Sequence, residues 1–137
     1  LTLKINGIMF TIEQIQEAHS KVKSGADFPA YIQEFKTLGV TRYETYVTDG
    51  HTDYFGEKGY TAIAPAKYAA LNIAEMSDMN QFTNDLKAHQ QGKTDYPTFC
   101  RDAANAGVEK WLVCMDEMTC TYVDKGGTLL LMEVIPR

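Results

Sequence analysis

The side chains best suited to chemistry crowd into one stretch, "KAHQQGKTDYPTFC" (87–100), which holds a histidine, a Gly-Lys-Thr, an aspartate and a cysteine. Gly92-Lys93-Thr94 has the tail of a phosphate-binding loop. That loop needs a glycine five positions before the second one, and Lys87 stands there; it must also follow a strand, whereas this segment follows a helical pattern. Phosphate binding of that kind is excluded. Cys100, His89 and Asp95 are the residue types of a thiol nucleophile, its base and an orienting carboxylate. His89, Gln90, Gln91 and Lys93 put four polar groups at a helix end and its loop, a set suited to holding a ligand or a partner. A histidine near a helix C-terminus is also favoured there by the macrodipole alone.

A second set lies in "YETYVTDGHTDYF" (43–55). Asp49-Gly50 between β-rich runs signals a hairpin. With that pair as the turn, residue 46 faces 53 and 44 faces 55, so Glu44, Tyr46, His51 and Asp53 share one sheet face. Glu44, His51 and Asp53 are types that hold a divalent metal, the alternative being the wet face of a hairpin. The same register applied to "VEKWLVCMDEMTCTYV" (108–123) sets Cys114 opposite Thr121 and Cys120 opposite Met115. The two cysteines then point to opposite faces and cannot bridge. Tyr43, Thr45, Val47, Thr52 and Tyr54 fall on the other face, as do Trp111, Val113, Met115, Cys120 and Tyr122, and both sets are expected to line the core.

The elements that must position these residues come in two similar runs. Shifted by 68, "DFPAYIQEFKTLGVTRYETYVTDGHTDYFGEKG" (27–59) falls on "DYPTFCRDAANAGVEKWLVCMDEMTCTYVDKGG" (95–127) without a gap. Six of the 33 pairs are identical, among them Asp27/Asp95, Pro29/Pro97, Gly39/Gly107 and Tyr54/Tyr122, where chance gives roughly two. Each run reads as a helix, a loop, a second helix, a hairpin and a further strand. Thr11 and Gln14 fit a capping box for the first helix, and Ser77 or Asp78 caps its counterpart. Asp27 and Asp95 stand at N-cap positions with proline in the first turn, and Gly39 and Gly107 stand where a left-handed C-cap belongs. The closing strands are "YTAIA" (60–64) and "TLLLMEV" (128–134). Short strands are also expected at "LTLKI" (1–5) and "AALNIA" (69–74). The predicted fold is α+β: one domain of two helix–helix–hairpin–strand units, about 1–64 and 69–134, related by a pseudo-twofold axis, with antiparallel sheet packed against helices.

This repeat weighs on the candidate residues. Cys100 falls on Ile32, an apolar stripe position, and Asp95 on the N-cap Asp27, so packing and capping account for both. His89, Gln90, Gln91 and Lys93 have no such counterparts, which makes them the tentative ligand-binding set. His19 reads as a partly buried helix residue.

The formal charge of 13 − 18 = −5, without a basic run, argues against direct nucleic-acid binding. No apolar run approaches the roughly 18 residues of a membrane span, and "LTLKINGIMF" lacks the features of a secretory signal. Three cysteines without a CxxC or a zinc-type spacing suit a reducing compartment, so a cytoplasmic location and no cofactor are expected.

The stretches "HSKVKSGADFPAYIQEFKTLGVTRYETYVTDGHTDYFGEKGY" and "KAHQQGKTDYPTFCRDAANAGVEKW" resemble the YbcV/YdfO-like family of small enterobacterial, often prophage-encoded proteins, with "HQQGKTDYPTFCR" its most specific motif. The resemblance runs from Met9 to Pro136 and leaves residues 1–8 as an extension. It implies a YdfO-like α+β fold and supplies no catalytic residues. The family's function is unknown, although a phage envelope label is attached to some members. The sequence favours a non-enzymatic protein that binds a small molecule or a protein partner, such as a prophage-associated modulator, with self-association open to it. The alternatives are a small enzyme using His89 with Cys100 or Lys93, and a virion component.

Overall fold

A computed structural model describes residues 9–22 and 27–136. The chain forms α1 (Ile12–Ser20), α2 (Phe28–Leu38), β1 (Arg42–Tyr46), β2 (Thr52–Phe55), β3 (Thr61–Ala64), α3 (Met79–Gln90), α4 (Tyr96–Asn105), β4 (Lys110–Cys114), β5 (Thr119–Val123) and β6 (Leu129–Val134). The order helix, helix, three strands thus occurs twice, and the fold is α+β as the periodicities predict. The expected strand at 1–5 lies outside the described residues.

The helix ends follow local chemistry. Thr11 forms the full capping box with Gln14. Asp78 and Asp95 each accept a backbone N–H in the first turn of their helices. Asp27 departs from its counterpart: its backbone is already helical and its side chain makes no cap bond. Gly39 and Gly107 take φ of 102° and 85°, closing α2 and α4 in the left-handed region.

Six strands make one antiparallel sheet in the order β3-β2-β1-β4-β5-β6. Its centre is the β1–β4 pair, in which Arg42, Tyr43, Glu44, Thr45 and Tyr46 face Cys114, Val113, Leu112, Trp111 and Lys110. Both hairpins pair two residues tighter than the two-residue turn predicts. Glu44 faces Asp53 and Arg42 faces Phe55, while Cys114 faces Thr119 and Val113 faces Cys120. The last pairs are Tyr46 with His51 and Cys114 with Thr119, so the turns are residues 47–50 and 115–118, with Gly50 at φ 78° in one and Met118 at φ 53° in the other. A shift of two preserves which face each residue takes, so the predicted inner and outer sets stand.

The inner set is buried throughout, from Tyr43, Thr45, Val47, Thr52 and Tyr54 to Trp111, Val113, Met115, Cys120 and Tyr122. The helices cover that face. Phe35 of α2 stands edge-on to Tyr43 and Tyr54, Phe82 of α3 packs on Tyr122, and Phe99 of α4 packs on Trp111. The other face is open, and most of the large exposed apolar residues, Ile63, Leu129, Met132 and Val134, belong to the two edge strands. "AALNIA" is not a strand. Residues 65–78 form a linker whose N–H groups bond to the first hairpin turn and to the end of α4, so no ladder is left for them to join.

Candidate functional site

The residues flagged by the sequence are drawn into scaffold to different degrees. The ring Nδ1 of His89 hydrogen-bonds to the carbonyl and hydroxyl oxygens of Thr94 at 3.0 and 3.2 Å, and the ring lies flat on Phe99. Gly92, at φ 77°, and Lys93 return their N–H groups to the carbonyls of His89 and Ala88, which ends α3. Gln90 donates to Glu133 on β6 at 3.1 Å. Gln91 and Lys93 are exposed. The structure therefore ties His89 and Gln90 to α3, α4 and β6 and leaves Gln91 and Lys93 on the loop surface. Cys100 is buried, 1 % exposed, and the groups around its sulfur are the Tyr68 and Tyr96 hydroxyls. No hydrogen bond joins it to His89 among the described residues.

On the open sheet face Glu44 and Asp53 are cross-strand neighbours. Lys110 binds Glu44 at 2.7 Å, while Nδ1 of His51 is held by Asp49 at 2.5 Å and its ring stacks on Tyr46. The backbone N–H of His51 is the main pull on the Asp49 carboxyl and holds it below the usual carboxylate range. Glu44, His51 and Asp53 thus share a face, yet among the described residues no three metal-ligating side chains stand close enough to hold an ion. Glu44 gives Oε1 to Lys110, and His51 turns Nδ1 toward Asp49. All three cysteines are free, with Cys120 in the core and Cys114 on the opposite face.

The more promising site lies where the linker crosses α4. The linker is tacked to the first hairpin by bonds from Lys67 N and Leu71 N to the carbonyls of Asp49 and Thr48, both 2.7 Å, and from the Tyr68 hydroxyl to the Val47 carbonyl, 2.6 Å. Gly50 permits this: a Cβ there would sit 2.7 Å from the Tyr68 ring. At its far end, Ala74 and Asp78 donate to Ala104 and Ala106, both 2.9 Å. Between these anchors the linker and α4 border a half-open hollow of about 220 Å³ lined by Tyr68, Ala69, Leu71, Pro97, Cys100 and Arg101.

Around this cavity the polar groups are donors. Lys67 places Nζ 5.9 Å from the centre of the Tyr96 ring, and the guanidinium of Arg101 reaches only the Thr98 hydroxyl, 3.3 Å away. Burial lowers the pKa of Lys67, and the thiol of Cys100 partly offsets this. Burial raises the thiol itself, against the pull of the Tyr68 and Tyr96 hydroxyls and of Lys67 and Arg101. His19 on α1 is lowered by burial and then by the charge of Lys67, which places that ammonium between the two helix pairs. Burial thus keeps the thiol protonated at neutral pH. A larger, shallower hollow of about 390 Å³ lies on the open sheet face, over Leu112, Thr121, Val123 and Leu129.

Sequence reasoning flagged Cys100, as core, and passed over Lys67, Tyr68 and Arg101. The available signal was the linker itself: fourteen residues, 65–78, without regular structure between β3 and α3, a length that in compact domains is uncommon and often functional.

Residues 16–134 match the family model described as "Protein of unknown function (DUF1398)". No curated protein matches the chain significantly.

Proposed function

We propose that this chain, which belongs to the DUF1398 family of proteins of unknown function, is a non-enzymatic domain that binds a small molecule in the seam between its linker and α4. The observation that carries the reading is the half-open, largely apolar hollow of about 220 Å³ with a few polar groups beside it, a make-up found in small-molecule sites. At ~30 Å³ per water it has room for about seven waters, which limits the ligand to a fragment-sized body. In the prophage setting that the YbcV/YdfO-like resemblance implies, such a domain acts as a modulator that responds to a metabolite. His89, Gln90, Gln91 and Lys93 then serve as a secondary polar surface at the end of α3.

Thermal denaturation with a panel of fragments, half carboxylic acids and half their amides, tests this. Ala69→Trp provides the control, because the side chain sits on the exposed linker and a large ring there fills the cavity from its mouth. Fragments should raise the Tm of the wild type and leave Ala69→Trp unmoved. If none distinguishes the two proteins, the seam is not a binding site.

A further inference from the structure

We infer that the seam takes a small organic anion, a monocarboxylate on a flat apolar body, with its charge between Lys67 and Arg101; this rests on the seam being the binding site. The chain as a whole is acidic, at −5. Its described ion pairs use Lys21, Arg42, Lys110 and Lys125. Among the described residues Lys67 and Arg101 make none; Arg101 lines the hollow, and Lys67, next to Tyr68 in the chain, lies near enough for both charges to act on Cys100. Asp95 and Asp102 feel the field of Arg101 without touching it. Lys67 is held over Tyr96 and near His19 and Cys100, so every group facing it is neutral or cationic. Neither cation has a carboxylate partner among the described residues, so an incoming carboxylate can form charge-assisted hydrogen bonds with both.

The walls define the rest of the ligand. Leu71, Pro97, Ala69 and the ring of Tyr68 offer apolar surface. The Tyr68 hydroxyl is already committed to the Val47 carbonyl, and the Cys100 thiol, protonated, is a weak donor at most. Few acceptors are presented to a ligand rich in hydroxyl or amine donors, so sugars and amines fit poorly. A carboxylate on a planar ring satisfies the cations at the mouth and the apolar wall behind them. Both cations stand at exposed positions, which leaves the charged end of the ligand near solvent and its body inside.

Titration with benzoate and its neutral counterpart benzamide tests this on the wild type, Lys67→Gln, Arg101→Gln and the double variant. Benzoate should bind the wild type at least tenfold more tightly than benzamide. Each single substitution should weaken benzoate several-fold and leave benzamide unchanged, and added salt should weaken benzoate alone. Equal binding of the two probes, or benzoate affinity unmoved in the double variant, overturns the anion assignment while leaving the seam as a neutral-ligand site. If neither probe binds the wild type and no fragment separates it from Ala69→Trp, the seam reading falls together with this one.

Discussion

Glu44 and Leu112 face each other across the central strand pair, 68 positions apart along the chain. The β1–β4 ladder is centred on that pair, with Tyr43 on Val113 and Thr45 on Trp111 to either side of it. The two side chains differ in their surroundings. Glu44 binds Lys110 at 2.7 Å, while Leu112 belongs to an apolar patch.

Glu44 and Lys110 are both largely shielded, with side-chain exposures of 13 % and 27 %. Their coupling, measured by a Glu44→Gln/Lys110→Met double-mutant cycle in urea, should be about 1 kcal/mol. The hydrogen bond to Glu44 is the chief cause that raises the pKa of Lys110. A raised folded pKa gives stability that is fully present below the unfolded value of ~10.4 and is lost as pH rises through the folded value. The gap between wild type and Glu44→Gln should stay level through neutral pH and close above about pH 10.5. A gap that widens in alkali would show that Lys110 is not held by Glu44.

Phe35 of α2 is fully buried, and so is Ala103 of α4. Against α4 the ring volume comes from another element, because Phe82 of α3 packs on Phe99 and Tyr122. Phe35→Ala should cost about 3–5 kcal/mol, and Ala103→Phe, which overpacks the second half, about 1–3 kcal/mol. Urea denaturation measures both. A stabilising Ala103→Phe would mean that Phe82 leaves room beside it.

Gly107 and Gly92 both have positive φ, 85° and 77°, in different surroundings. A Cβ on Gly107 would meet the Ser77 Cα at 2.8 Å, whereas one on Gly92 meets nothing within 4 Å. Gly92→Ala should cost only the left-handed strain of about 1–2 kcal/mol. Gly107→Ala adds a backbone clash and should exceed it by at least about 1 kcal/mol, since the linker must move off α4. Equal losses would place the start of α3 elsewhere.

The three thiols should react in a set order. Cys114 lies on the open face and is only half-buried, whereas Cys100 and Cys120 are buried. Burial pushes the Cys120 thiol up to about 12 and also raises Cys100. One equivalent of a thiol reagent should be consumed quickly in native protein at about pH 8 and the remaining two only on unfolding. Fast labelling of Cys100, read by mass spectrometry, would show that the linker opens readily. A fragment bound in the seam should slow its labelling further.

Much of the fold was legible because its determinants are local. Capping boxes, first-turn prolines, left-handed glycines and the alternation of inner and outer strand residues act over a few positions, and the sequence displays them directly. Hairpin register was less accessible. It depends on how many residues the turn takes up, and Gly50 and Met118 at positive φ lengthen both turns beyond two. "AALNIA" alternates like a strand, yet its hydrogen bonds go to the hairpin turn and α4.

The candidate site divides along the same line. The sequence by itself determined that Asp95 caps a helix, that Cys100 lies on an apolar stripe and that no phosphate loop is present, since each is a matter of short-range spacing. Only the tertiary structure decided that His89 is bound to Thr94 and packed on Phe99, and that Lys67, Tyr68 and Arg101 meet around Cys100. Lys67 and Tyr68 are more than thirty positions from Cys100 and Arg101 along the chain. They come together because the linker is pinned to a turn and a helix end, a long-range contact that no local pattern records.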